Sequence, residues 1–316
     1  MRETIVIALG GNAIKKSDDV GTAEEQLHNV DATARQIALI LQAGYRVVVT
    51  HGNGPQVGSL LIQQESGQAF VPDQPLFVCG AMTQGHIGWM LQNRISYHVQ
   101  KLGFDLPVAT LVTQVVVDSN DPGFRDPTKP VGPYYAQNEA QRLAEEKNYL
   151  MREVNPNMQK GWRRLVASPI PKDIVERTAI RTLVAAGIVV IAVGGGGIPV
   201  VAAGDGEFIG TDAVIDKDRA AVLLAELVGA DRFLILTDVP NVLINYGKAD
   251  EKALTTVTLK EVAGYTAKGH FLAGSMGPKV EAAVRFTQRT GKTATITSLE
   301  NVLDGTKGTI GTHIVP

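Results

Sequence analysis

A chain of 316 residues that is 44% apolar, 20% charged and 5% aromatic has the composition of a soluble globular protein of about two lobes, with enough chain to bury a large core. The formal charge of −2 argues against a nucleic-acid or polybasic membrane surface. Cys79 is the single cysteine, so an intramolecular disulfide is excluded, and its apolar surroundings in "LFVCGAM" read as packing rather than as a catalytic thiol.

In chain order, Arg2–Glu3 lead into "TIVIAL" with no signal-peptide core, which together with the lone cysteine points to the cytoplasm. "TIVIAL" is an apolar run of strand length ending in "GGNA". The segment "TAEEQLHNVDATARQIALILQAG" places Leu27, Val30, Ala34, Ile37 and Leu41 at helical spacing. Thr22 and Glu25 have the form of a capping box, and Gly44 suits the helix stop. "YRVVVT" is the next strand, followed by "HGNGPQVG". A helix near 80–101 leads to a third strand, "PVATLVTQVVV".

The rhythm changes near residue 118. "DSNDPGFRDPTKPVGPYY", a short charged helix at about 137–147 and "GWRRLVASPIPKD" read as an insertion over 118–172 that projects from the body. Alternation resumes with a helix at about 173–186. The uncharged stretch 182–204 is long enough to span a bilayer, but its glycines and Pro199 divide it into a helix end, a buried strand, a glycine loop and another strand. A hairpin at "GDGE", a helix after "VID", the strand "RFLILT", a hairpin near 242–257, a helix after "GSMGP" and the strand "TATITS" complete the pattern. The sequence therefore predicts an open αβα sandwich with a largely parallel central sheet and a small protruding subdomain.

Three glycine-rich loops follow strands: Gly10–Gly11–Asn12, Gly52–Asn53–Gly54 with Pro55, and Gly194–Gly197. In open α/β sheets, ligands bind beyond the carboxyl ends of the strands, and such loops offer backbone N–H groups to an anion. Asn12 and Asn53 add side-chain donors. No Walker loop is present, and "GNGPQV" misses the dinucleotide fingerprint at Val57. The first loop also has no lysine or arginine of its own.

Two later segments supply positive charge. Asp216 occupies a helix N-cap position, so Lys217 falls in the first turn; Pro278 suits the first helical position, with Lys279 next. A lysine there opposes the helix dipole by roughly 0.3–1 kcal/mol, an effect that a bound anion would reverse. Asp216 could orient the ammonium groups, and Asp238, at a strand end, could reach a magnesium ion through water. Phosphoryl transfer requires this kind of positioning and charge neutralisation.

The combined motifs resemble the amino-acid kinase superfamily and, within it, the carbamate kinases. They are "IALGGNA", "THGNGPQVGSLL", "DPTKPVGPYY", "GWRRLVASPIPK", "VGGGGIPV", "AVIDKDRAA", "ILTDV" and "GHFLAGSMGPKV", and they run nearly end to end. The resemblance implies the amino-acid kinase fold, with an N-terminal lobe (1–117 with 173–200) holding a carbamate acceptor on Gly10, Gly11, Asn12, Gly52, Asn53 and Gly54. A C-terminal lobe (201–316) would hold ATP or ADP with magnesium, using Lys217, Asp238, Tyr246, Met276, Gly277 and Lys279. Asp216 would organise the lysines. Lys129, from the subdomain over the active site, would replace the lysine that related acylamino-acid kinases carry where this chain has Ala8. The resemblance further implies a homodimer and a reaction run toward ATP; charge and the broken apolar stretch 182–204 speak against a nucleic-acid or membrane partner, and no protein-held metal is expected. His51 reads as a packing residue beside the acceptor loop. An acylglutamate or aspartate kinase, or a non-catalytic nucleotide-binding relative, remains the alternative.

Overall fold

The computed structural model describes residues 2–16, 18–271 and 276–316. Its main sheet has eight strands in the spatial order Thr256–Thr258, Thr312–Val315, Ala294–Ser298, Arg232–Thr237, Thr4–Leu9, Arg46–His51, Val189–Ile191 and Val108–Thr110. The six strands from Ala294–Ser298 to Val108–Thr110 run parallel; Thr312–Val315 turns antiparallel, and Thr256–Thr258 follows it in parallel. The sheet is thus largely parallel, as the alternating pattern predicts.

Parallel strands covered on both faces read as continuous apolar runs. In Thr4–Leu9 every residue is buried. Val6 and Ala8 face one core, with helices Arg177–Ala185, Lys217–Leu227 and Met276–Thr290, while Ile5, Ile7 and Leu9 face the other, with helices Ala23–Gln42 and Leu76–Lys101. The helix Ala23–Gln42 begins at the reciprocal Thr22–Glu25 box, and Gly44 takes a φ of 93°, so both signals read from the sequence are present.

Three expectations are corrected. "PVATLVTQVVV" is two strands: Val108–Thr110 ends the main sheet, while Gln114–Val117 joins a second sheet with Phe208–Gly210, Ile198–Ala202 and Pro171–Ile174. Leu111 and Thr113 turn the chain between them, their carbonyl and amide groups bonding to the glycine loop's strand and to Gln84. The helix near 173–186 shortens to Arg177–Ala185 because Pro171–Ile174 pairs with Gln114–Val117. Within the described residues the helix expected to start at Pro278 spans Met276–Thr290, which makes Pro278 its third residue. Proline is tolerated there because first-turn N–H groups have no intrahelical acceptor. Gly274 and Ser275 of the same motif lie outside the described residues.

Between Val117 and Pro171 the chain leaves the body and builds its own antiparallel sheet, from Lys129–Tyr135, Trp162–Val166 and Met151–Glu153, backed by helix Gln137–Lys147. A small core of Tyr135, Ala140 and Leu143 orders it. The Tyr135 hydroxyl reaches back to the Glu65 carboxylate at 3.0 Å, and Arg164 pairs with Asp212 at 3.5 Å. The uncharged stretch 182–204 divides into the end of helix Arg177–Ala185, strand Val189–Ile191, the glycine loop and strand Ile198–Ala202. Among the described residues no helix is long and apolar enough to cross a membrane.

Candidate active site

Adjacent parallel strands carry the three glycine loops side by side. Leu9 pairs with His51 and Val49 with Ile191, so Gly10–Gly11, Gly52–Gly54 and Gly194–Gly197 all emerge at the carboxyl edge of the sheet. At several of these glycines there is no room for a side chain. A Cβ on Gly10 would lie 2.9 Å from the Leu236 carbonyl oxygen, and one on Gly195 would lie 2.2 Å from the Asn53 amide nitrogen. Gly195, Gly196 and Gly197 all take positive φ values, and Val193 ahead of them is left-handed at φ 57°. That conformation is strained for a β-branched residue. It persists because Val193 is fully buried, its N–H bonded to the Thr113 hydroxyl and its carbonyl to the Thr50 hydroxyl.

A cavity of about 290 Å³ opens over these loops, lined by Gly11, Gly52, Asn53, Gly54, Pro55 and Gly195 on one side. Val214 to Asp218, Pro278, Lys279 and Lys129 line the other. The three lysines come from separate parts of the chain, and each meets a carboxylate. Lys217, first residue of helix Lys217–Leu227, lies 2.7 Å from one oxygen of Asp218; Lys279 lies 3.4 Å from the other. Lys129, at the start of the subdomain's first strand, lies 3.1 Å from Asp216. Among the described residues that line the cavity, three ammonium groups thus face two carboxylates, a formal excess of one positive charge.

The two aspartates divide their roles differently from the expectation that Asp216 orients Lys217 and Lys279. Asp216 caps the helix, accepting the N–H groups of Asp218 and Arg219 at 3.0 and 3.4 Å through one oxygen, and holds Lys129 through the other. Burial alone would raise its carboxyl, but the Lys129 ammonium and these N–H groups bring it below the usual aspartate value. Asp218 is the shared partner of Lys217 and Lys279, and its side chain is only 4% exposed. Sequence reasoning missed it, because an acid in a first turn reads as a partner of the helix dipole. The available signal was its position, three and seven residues before the buried Ala221 and Ala225 on the inner face.

Several expected residues lie outside the cavity lining. Gly10 and Asn12 flank Gly11 without lining it, and Met276 and Gly277 sit just before Pro278 in the helix. Asp238 is exposed beyond the strand Arg232–Thr237, and Tyr246 is 67% exposed. His51 is buried, its Nδ1 2.9 Å from the Gly52 carbonyl, and desolvation lowers its pKa to about 4. The imidazole is therefore neutral with its proton on Nδ1, and a Cβ on Gly194 would strike its ring at 2.4 Å, so it packs under the loop. Burial also pushes the Cys79 thiol up, which disfavours a reactive thiolate. Among the described residues no group of three or more His, Cys, Asp or Glu side chains could hold a metal ion.

Asn53 is the N-cap residue of helix Gly54–Gly67, yet its side chain does not cap. Capping by asparagine contributes about 1 kcal/mol. The amide is instead turned toward Thr83, to which its nitrogen donates at 2.8 Å.

Comparison with known proteins identifies the family. The model of the amino acid kinase family matches residues 3–298. A carbamate kinase of Pyrococcus furiosus is 50% identical over the whole of both chains, and one of Thermococcus kodakarensis is 52% identical over 98% of each. The solved structure of a Giardia lamblia carbamate kinase bound to AMP-PNP superposes with a TM-score of 0.94 at 44% identity, covering 99% of this chain and 98% of that one. With that likeness extending from end to end, and with the glycine loops, lysines and aspartates gathered at one cavity, the chain belongs to the amino acid kinase family, in its carbamate kinase branch.

Proposed function

We propose that the protein catalyses reversible phosphoryl transfer between ATP and carbamate, giving ADP and carbamoyl phosphate, and that it works in the direction of ATP. The observation that carries this reading is the convergence of Lys129, Lys217 and Lys279 on one cavity beside the glycine loops. A carbamate oxygen attacks the γ-phosphorus of ATP; the new P–O bond forms as the bond to the β-phosphate oxygen breaks, and ADP leaves with that electron pair. Carbamate is already anionic, so no general base is needed. Lys217 and Lys279, aligned by Asp218, neutralise the charge spread over the transferring group. Lys129, held by Asp216, brings a third ammonium from the subdomain to the acceptor.

In this proposal the loops at Gly10–Asn12 and Gly52–Gly54 hold the acceptor. The nucleotide lies toward Lys217, Met276, Gly277 and Lys279, with Tyr246 near adenine and Asp238 reaching magnesium through water. The magnesium enters with the nucleotide as part of that substrate, its ligands supplied mainly by phosphates. A cytoplasmic homodimer completes the reading. Helix Leu76–Lys101 exposes Met82, Trp89 and Tyr97 beside the edge strand Val108–Thr110, and it carries no charged residue from Leu76 to Asn93. Such a face suits a second copy of the chain.

The test is to mix protein, Mg-ADP and carbamoyl phosphate and assay ATP. In the opposite direction, carbamate, aspartate and acetylglutamate are compared as acceptors. Carbamate as the preferred acceptor supports the proposal; preference for either amino acid overturns it.

A further inference from the structure

Thr83 sits on helix Leu76–Lys101, fully buried, behind the loop that carries Asn53. Its hydroxyl lies 2.6 Å from the Gly80 carbonyl oxygen, an acceptor only, so the hydroxyl must donate there. It is left with lone pairs for its second neighbour, and at 2.8 Å that neighbour has to be the nitrogen of the Asn53 amide. The chain Asn53 Nδ2 to Thr83 Oγ1 to Gly80 O thus has one consistent direction and permits one orientation of the amide. Gly195, whose missing Cβ would lie within 2.7 Å of the amide's nitrogen, carbon and oxygen, closes off its other side.

Oδ1 is left over. No hydrogen bond within the described protein reaches it, it is not among the sealed unpartnered atoms, and its residue lines the cavity. It also forgoes the capping bond open to an N-cap asparagine. The cavity's other side-chain acceptors, the Asp216 and Asp218 carboxylates, are each engaged by a lysine, whereas this oxygen is not. Lys129 and Lys217, which line the same cavity, are held by Asp216 and Asp218. It has a use if the substrate brings an N–H donor alongside its negative oxygens.

We propose that Thr83 is a positioning residue that fixes the Asn53 amide so that Oδ1 accepts a hydrogen bond from the acceptor's amino group, selecting a carbamoyl group over an acetyl group of similar size. The inference rests on the carbamate kinase reading above. Sites that hydrogen-bond a substrate N–H or O–H discriminate strongly against the analogue lacking it.

The experiment measures kcat/KM for ATP formation from Mg-ADP with carbamoyl phosphate and with acetyl phosphate. In both, the phosphoryl group passes to ADP and the carboxylate leaves, so the two substrates differ only in NH₂ against CH₃. Thr83→Val keeps the shape but frees the amide to turn, and Asn53→Leu removes the acceptor oxygen. Each is expected to lower the preference for carbamoyl over acetyl phosphate by about 10–100-fold, with the KM for ADP unchanged and Thr83→Ser restoring the preference. Equal losses on both substrates, or an unchanged ratio in both variants, would overturn the proposal. Wild-type protein that makes no ATP from carbamoyl phosphate would overturn the function itself. Wild-type activity with no preference between the two substrates would overturn this inference alone.

Discussion

Lys129 and Asp216, 87 residues apart in sequence, meet at 3.1 Å where the protruding subdomain touches the N-terminus of helix Lys217–Leu227. This contact brings the subdomain's ammonium to the cavity and supplies charge that the first glycine loop does not carry. Lys129→Ala is expected to lower kcat with carbamoyl phosphate by about 10²-fold, comparable with losing a preorganised donor, and to leave ADP affinity within about twofold. Steady-state kinetics with separate ADP titrations check this. An equal loss of ADP affinity would contradict its placement on the acceptor side.

Asp218 gathers Lys217 and Lys279 on its two oxygens. Asp218→Asn keeps the shape and removes the charge that aligns both ammonium groups. Turnover is expected to fall by on the order of 10²–10³, while ADP affinity holds or tightens because the cavity becomes more positive. Calorimetric titration with ADP beside the rate assay tests both halves; turnover within tenfold of wild type would remove Asp218 from the account.

The left-handed Gly195 presses against Asn53, with a φ of 68° and no room for a Cβ. Gly195→Ala is expected to cost at least about 1–2 kcal/mol of stability and to displace the Asn53 amide, lowering turnover at least about tenfold. Gly204, which has no positive φ and no atom within 4 Å of an added Cβ, is the control. Gly204→Ala is expected to stay within about 0.5 kcal/mol of wild type. Denaturation midpoints of the two variants decide.

His51 links stability to acid. Its folded pKa of about 4 lies below the ordinary 6.5, so the unfolded chain takes up the proton first as pH falls. The protein loses stability between about pH 6.5 and 4, by roughly 3 kcal/mol at the end of that range, and none of this loss occurs above it. His51→Gln is expected to cut the stability difference between pH 7.5 and pH 4.5 by about 2–3 kcal/mol in denaturant titrations. Identical pH dependence in the two proteins would show that the imidazole is not held neutral.

Much of this arrangement was legible in the sequence because the signals are local. Thr22 with Glu25 announces its helix, the run Thr4–Leu9 its doubly covered strand, and the glycines after three strands their loops. Lys217 was marked by its position at a helix start. What stayed hidden depends on long-range packing. The division of "PVATLVTQVVV" between two sheets is set by its partners Val189–Ile191 and Ile198–Ala202, which lie far along the chain. Lys129 between prolines looks like any solvated loop lysine until Lys129–Tyr135 pairs with Trp162–Val166 and aims it at Asp216; only the family resemblance pointed to it. Thr83 carried a weak signal, a hydroxyl in the charge-free stretch of its helix before Arg94, but its partner on another loop appears only in the fold.

In the proposed reaction Lys217 and Lys279 act together on one transferring phosphoryl group. The direct measurement is the rate of ATP formation from Mg-ADP and carbamoyl phosphate by the wild-type protein, Lys217→Met and Lys279→Met. The expected result is turnover by the wild type and a loss on the order of 10²–10³ in each variant, with the double variant far less impaired than the product of the two losses. Near-normal turnover in either single variant, or losses that simply multiply, would contradict it.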